Sequence, residues 1–509
     1  MAVPLRSAVV LVGAAVLGAL ASESKSEAAQ APSGPVLYDV VLSHGRVMDP
    51  ESGLDAIRNV GIEKGRIAAI SEKTLAGRET LDVSGLVIAP GFIDLHAHGQ
   101  DQRSATLQAH DGVTTALDME AGVFPVTEWY KSREGKAPIN FGASAGHIAA
   151  RIKLKQGIDV GHRPTDHAHP ELVTQLKGWE YEKATPDEID RLVQLLDNAL
   201  DQGALGLGVQ PAYTPGAGRD EIFRVFQLAA RRGATVFVHV RYGGDVEPAS
   251  GIAAMQEVLA DAAASGSSLH IVHVTSSGLR QTPIILEMID GARKNGLDVT
   301  TEAYPYTAGS TRLASALFDE GWQQRVGVSY GDLQWSATGE RLTKETFEKY
   351  RKQTGWVIIH MIPESVANLA IENPLVMIAS DGIPFDTGGE HPRGAGTFSR
   401  VLGHYVRERG QLTLMNALRK MTLMPAQRLE RFVPQMQNKG RLREGADADI
   451  TVFDPASVAD RATYEKPMQP SAGIVHVMVG GTLVVKDGKS LEGVLPGQPI
   501  RRPTKRAAG

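Results

Sequence analysis

"GFIDLHAHGQ", residues 91–100, is an apolar run that closes on two histidines one residue apart. In an extended chain positions i and i+2 share a face, so His96 and His98 present both imidazoles on one side of a strand end. The run is the first of a series. Between about Ala89 and Glu430 the stretches "GFIDLHAH", "VTTALDME", "INFGASAG", "ALGLGV", "TVFVHVR", "SLHIVHVTS", "DVTTEAYPY" and "LVMIASDG" alternate with helical segments. Repeated βα units in this number predict an α/β fold, a (β/α)8 barrel of the TIM type. Chemistry in such barrels gathers at the C-terminal ends of the strands.

Three further strand ends carry residues that bind metals. His239 closes the fifth run, His273 the sixth and Asp381 the eighth. A single histidine in such a place is more often structural. Four histidines and a carboxylate converging on one barrel mouth match the nitrogen and oxygen donor set that holds zinc, as one ion or two.

Working outward, residues 90–435 form the expected barrel, and its flanks differ in texture. "YDVVLSHGRVMD", "NVGIEKGRIAAIS" and "ETLDVSGLVIAPG" before it, and "KGRLREGADADITVFDP" and "GIVHVMVGGTLVVKDGK" after it, are short strands with Gly and Asp turns. They predict one small β-sandwich built from both chain ends, residues 36–89 and 436–495. Residues 307–373, between the seventh and eighth strands, form a lid-like insertion whose Trp322, Tyr330 and Trp335 either line an acyl pocket or pack the insertion onto the barrel. Residues 1–21 combine Arg6, an apolar stretch from Ala8 to Leu20 and small residues at 19 and 21. That pattern predicts a cleaved export signal, hence a periplasmic or secreted protein; the alternative is an N-terminal anchor, although the stretch falls short of the ~20 residues a span needs. Residues 22–35 read as a linker and 496–509, with "RRPTKR", as a solvated tail.

Composition excludes other classes. The 53 basic and 58 acidic residues nearly cancel, so no basic face for nucleic acid is implied, and no later segment is apolar enough for a stable membrane span. There is no cysteine, which rules out disulfides, thiolate metal ligands and a cysteine nucleophile. The expected partner is a small-molecule amide, with a homo-oligomer left open.

"APGFIDLHAHGQ", the single histidines of the fifth and sixth strands, "SDG" on the eighth and "GADADITVFDP" near the end resemble the amidohydrolase superfamily of metal-dependent barrel hydrolases. "DGVTT", "GALGLGV", "EAYPYTAGST" and "HPRGAGTFSRVLGHY" are similar to its D-aminoacylase (N-acyl-D-amino-acid deacylase) branch. The resemblance implies hydrolysis of an N-acyl amino acid, of D configuration in that branch, by metal-activated water. It also implies substrate contacts at Arg241, Tyr304 and Ser310.

Two positions depart from the family pattern. Many superfamily members bridge two metals with a carboxylated lysine on the fourth strand, and the D-aminoacylase branch does so with a cysteine after the second. Here the fourth strand has no lysine and Ala121 stands in the cysteine's place. Glu120, one residue earlier, is the candidate bridge through its two oxygens, or else a hydrogen-bond acceptor beside a single metal. Lys153 and Lys155 are weaker alternatives. Second, Thr275 stands where the branch has a lysine for the substrate carboxylate; Arg393 is a further cation nearby, and arginine grips carboxylates with two parallel hydrogen bonds. Tyr304 and Tyr306 either touch substrate or pack.

The expected chemistry follows. Zinc held by His96, His98, Glu120, His239, His273 and Asp381 lowers the pKa of water from about 16 towards ~7, and Asp381 is the general base. The alternatives are a hydrolase of a bulky or aromatic carboxylate-bearing amide or dipeptide, and a non-catalytic binding barrel. His147, at the end of the third strand, is a further candidate for substrate contact. His162, Asp166, His167 and His169 in "GHRPTDHAH" read as a solvated loop cluster, and "DGKS" lacks the upstream glycine of a phosphate loop.

Overall fold

The alternation of apolar strand and helix closes into the expected barrel. The computed structural model describes residues 37–162, 178–353, 355–385 and 391–504. Eight parallel strands run through them: Phe92–Asp94 (β1), Val113–Phe124 (β2), Asn140–Gly146 (β3), Leu207–Val209 (β4), Thr235–Val238 (β5), Ser268–Ile271 (β6), Val299–Ala303 (β7) and Val376–Ile378 (β8). They pair in chain order from β1 to β8. Backbone beyond β1 and β8 joins the two edges: Gly99 N donates to Gly382 O, and Gly382 N to His96 O. Beneath them the Asp94 carboxylate accepts from both His96 N and Ser380 N at 3.0 Å.

Side-chain period sorts the residues into two layers. On β5, Val236 and Val238 join the apolar layer shared with the helices. Phe237, between them, joins Ile93, Leu117, Met119, Val272 and Met377 in an inner cluster. The surrounding helices follow the same logic. Pro186–Asp201 starts at a capping box of Thr185 and Glu188 with proline in its first turn, and buries Ile189, Leu192, Leu196, Ala199 and Leu200 on one face.

The chain-end module is one nine-stranded hydrogen-bonded sheet with an apolar cluster of its own, and it gives Val87, Phe453, Val477 and Val485 to the barrel's core. Its halves meet where Val87–Pro90 pairs antiparallel with Ile450–Phe453 and parallel with Leu37–Asp49. The Leu37–Asp49 strand shifts register between Leu42 and Gly45, which lets Leu42 and Val47 face the same core. Gly45 is required there, because a Cβ would fall 2.5 Å from Ile88.

Two expectations of extent are corrected. The insertion is a three-stranded antiparallel sheet, Gly309–Arg312, Leu333–Trp335 and Trp356–Ile359, with its own core. It does not run to 373, since helix Glu364–Glu372 buries Ala370 and Ile371 in the barrel's helix layer. The tail is not solvated throughout: Gly497 and Ile500 are buried, while Gln498, Pro503 and Thr504 are exposed. Ile500 N donates to Phe141 O, Phe141 N to Gln498 O, and Tyr130 Oη to Ile500 O. Ile500 is fully buried in the inner cluster. A single apolar residue between a glycine, a glutamine, two prolines and two arginines gave little periodic signal. Among the described residues no helix is long and apolar enough to cross a membrane. The segments read as export signal and linker, and the His162, Asp166, His167 and His169 side chains, lie outside the described residues.

If Ile500 plugs the barrel floor, Ile500→Ala will lower unfolding stability by about 2–5 kcal/mol, seen as a lower urea midpoint. An unchanged midpoint would show that the strap merely lies on the surface.

Candidate active site

Each predicted ligand stands where a barrel strand gives way to irregular backbone. His96 and His98 follow β1, and His239 follows β5 directly. Glu120 lies within β2, where pairing with β3 breaks between Asp118 and Val123. A bulge of this kind re-aims a side chain. Gly122 makes it feasible, at φ 65° and so close to β3 that a Cβ would meet Gly146 N at 2.7 Å. His273 and Asp381 have φ of 29° and 51°, values that non-glycine residues rarely hold outside functional sites.

The structure brings all six together. His96 Nε2 and His98 Nε2 face each other at 3.1 Å. Glu120 Oε2 lies 3.2 Å from both, and Asp381 Oδ1 3.3 Å and 3.5 Å from them. The other oxygen of Glu120 serves the second pair, with His239 Nδ1 at 2.8 Å and His273 Nε2 at 3.0 Å. Glu120 thus stands between two histidine pairs with one oxygen toward each, the arrangement a bridging carboxylate requires. Lys153 and Lys155 are elsewhere, paired with Asp159 and Glu188.

The far nitrogens of the first pair are taken by carboxylates: His96 Nδ1 by Glu302 Oε1 at 2.6 Å, His98 Nδ1 by Asp118 Oδ1 at 3.2 Å. Their Nε2 atoms therefore converge, joined by two carboxylate oxygens, where each can take a proton or a metal. Converging donors of this kind suit a divalent cation. The charges agree. Burial alone would lower the pKa of His96 and His98, yet Asp381, Glu120 and Glu302 around His96, and Asp118 beside His98, lift both well above 6.5. The cluster draws positive charge, whether as protons or as metal. Burial pushes the Asp381 carboxyl up, but Arg393 and His96 outweigh it and hold it below the usual range.

Sequence reasoning missed Glu302, Asp118 and Gln210, whose Nε2 donates to Glu120 Oε2 at 2.9 Å. A signal for Glu302 existed: on β7 the outward Val299 and Ala303 leave it facing inward, a charge inside a barrel.

The substrate candidates divide. Arg393 is 1% exposed, with Nη1 3.0 Å from Asp381 Oδ2 and its guanidinium 4.7 Å above the Tyr304 ring. The Tyr304 and Ser310 hydroxyls are buried in the cavity wall without a hydrogen bond of good geometry. Arg241 also lines the cavity, but its guanidinium is bound by Glu257 at 2.8–3.0 Å and donates to Ala217 O, so it is not a free anchor. His147 is fully buried against Glu221 at 2.8 Å and does not reach the cavity. Tyr306 packs between His391 and Arg400. The cavity, ≈ 580 Å³, opens from His98, Glu120 and Asp381 toward Leu317, Phe318, Trp322, Trp356 and Met361. Trp322 thus both lines the cavity and packs the insertion, whereas Tyr330 and Trp335 only pack.

Known proteins share this architecture. The amidohydrolase family model matches residues 79–485. The N-acyl-D-glutamate deacylase of Alcaligenes xylosoxydans xylosoxydans is 30% identical over 493 residues, covering 91% of this chain and 96% of that protein. The D-aminoacylase of the same organism is 31% identical, covering 88% and 94%. The N-acyl-D-glutamate deacylase of Bordetella bronchiseptica, solved with zinc and a phosphonate that mimics the tetrahedral intermediate, aligns with a TM-score of 0.76 at 27% identity over 92% of this chain and 100% of its own. With a family model spanning most of its length and relatives matched nearly end to end, the chain belongs to the amidohydrolase family and is a metal-dependent hydrolase of amide C–N bonds.

Proposed function

We propose that the chain is an exported, zinc-dependent deacylase of N-acyl amino acids, with N-acyl-D-amino acids as its substrate class and Asp381 as its general base. The observation that carries this reading is the placing of Asp381. One oxygen adjoins His96 and His98, the other adjoins Arg393, and the carboxylate lines the cavity. Arg393 keeps it ionised and fixed, so it can take a proton from the attacking water and return it to the leaving amine. Bound at the six ligands, zinc would supply a lowered water pKa and polarise the amide carbonyl. The buried hydroxyls of Tyr304 and Ser310 are placed to donate to substrate oxygens. Arg393 Nε, which has no hydrogen-bond partner among the described residues, is the cation nearest to hand for a substrate carboxylate. The relatives' substrates, N-acyl-D-amino acids by their names, support the same class.

A second reading, hydrolysis of a bulky or aromatic carboxylate-bearing amide or dipeptide, is favoured by the apolar far wall of Leu317, Phe318, Trp322 and Trp356. A non-catalytic binding barrel is disfavoured, because a degenerate site has no need to keep every ligand and its carboxylate partners.

Asp381→Asn is expected to lower kcat by at least about 10²–10⁴-fold while circular dichroism and melting stay near wild type; full activity would remove Asp381 as base. Comparison of kcat/KM on N-acetyl-D-, N-acetyl-L- and N-aryl amides should favour the D series, and a preference for the aryl amides would transfer the assignment to the second reading. In Glu120→Gln the amide can turn only one oxygen to metal, so zinc analysis should find fewer equivalents than in wild type. Unchanged stoichiometry would remove Glu120 as bridge.

A further inference from the structure

Beneath the candidate metal centre the barrel carries a file of polar side chains where such barrels are ordinarily filled with branched apolar ones. Thr300 and Glu302 alternate on β7 with the outward Val299 and Ala303. Glu302 is 1% exposed and holds two imidazoles, His96 Nδ1 on Oε1 at 2.6 Å and His270 Nε2 on Oε2 at 3.0 Å. His270, fully buried on β6, has its other nitrogen 2.8 Å from Thr300 Oγ1. At the lower end Arg428 Nη1 donates to Thr300 Oγ1 at 3.5 Å and clasps Asp298 with two bonds of 2.8 Å.

Donor and acceptor types fix every proton in this file. Each oxygen of Glu302 faces one imidazole nitrogen, and a carboxylate shared between two imidazoles accepts from both. Both His96 Nδ1 and His270 Nε2 must then carry hydrogen. The Thr300 hydroxyl oxygen accepts from Arg428, so its hydrogen is turned to His270, whose Nδ1 accepts it. The chain of donors runs from Arg428 up to Glu302. On the far side of Glu302, His96 is left with its bare Nε2 toward His98, Glu120 and Asp381.

We propose that Glu302, oriented by His270, is a positioning residue for the metal centre: it holds His96 in the one tautomer that offers Nε2 to a metal, and so sets the affinity of the His96–His98 position while leaving the His239–His273 position untouched. The second position lies outside the file. His273 Nδ1 faces the Ser276 and Ser277 hydroxyls, at 3.0 Å and 3.3 Å, and no carboxylate. This inference rests on the metal-dependent reading above.

Glu302→Gln preserves shape but sets its NH2 against one of two N–H groups, so one imidazole must turn or change tautomer. His270→Gln keeps both functions of the imidazole, donating to Glu302 and accepting from Thr300. His270→Leu fills the space and performs neither. The test is zinc binding by the full chain in chelator-buffered zinc, with melting of the zinc-free forms recorded alongside. Glu302→Gln and His270→Leu should each weaken one zinc equivalent by about 10–100-fold, with the other unchanged and His270→Gln near wild type. The proposal is overturned if Glu302→Gln binds zinc as wild type does, if both equivalents weaken together, or if His270→Leu binds as well as His270→Gln, which is what a packing role predicts. Wild-type protein that takes up no zinc would overturn the metal-dependent reading, and this inference with it.

Discussion

Four carboxylates and four imidazoles crowd one largely buried barrel mouth, and among the described residues one arginine is paired with them. Glu120, Asp118, Glu302 and Asp381 are all at most 8% exposed. Taking an ion out of water costs several kcal/mol unless opposite charge and hydrogen bonds offset it. Arg393 neutralises one of the four. The remaining negative charge has to be met by protons on the histidines or by metal, which is why His96 and His98 are driven toward the cationic form. The backbone yields to the same demand. His273 and Asp381 hold positive φ at the points where their side chains join the cluster.

The barrel supplies the charge and the insertion supplies the shape. Tyr213 joins the two, its ring 4.9 Å from that of His239 and its hydroxyl 3.0 Å from Thr311 Oγ1 on the first insertion strand. Trp322 stacks on Phe347 and Phe318 meets both edge to face, so the apolar wall of the cavity is backed by a core of its own. A change of substrate preference can therefore be made in the insertion without disturbing a ligand. This separation of chemistry from selectivity is what lets one barrel serve many amides.

The eight strands and five of the six candidate ligands were legible because each is written locally: an apolar run of strand length, then a histidine or aspartate at its end; Glu120, inside its strand, was reached only through the resemblance. What stayed hidden depends on partners far away in the chain. Arg241 reads as a substrate cation until Glu257, on the following helix, is seen to hold it. His147 reads as a site histidine until Glu221, 74 residues on, takes its nitrogen. Glu302 lies 206 residues from His96. No periodicity marks such pairings. Similarly, Ile500 gained its meaning only when the barrel floor was there to receive it.

Two buried carboxyl groups beneath His96 show how the fold decides where charge resides. Glu302 meets two imidazole N–H groups and is driven down; Asp94 is driven up, by burial first and then by the negative charge of Glu302. Asp94 accepts from the backbone amides of His96 and Ser380, which a neutral carboxyl can also do, and its other oxygen has no good hydrogen bond among the described residues. One group thus closes the barrel and can stay uncharged, while the other carries the charge that orients the ligand. Were both ionised, their repulsion in a dry interior would weaken the seam between β1 and β8 on which His96 and Asp381 depend. The difference in their partners keeps the structural and the functional carboxyl from competing.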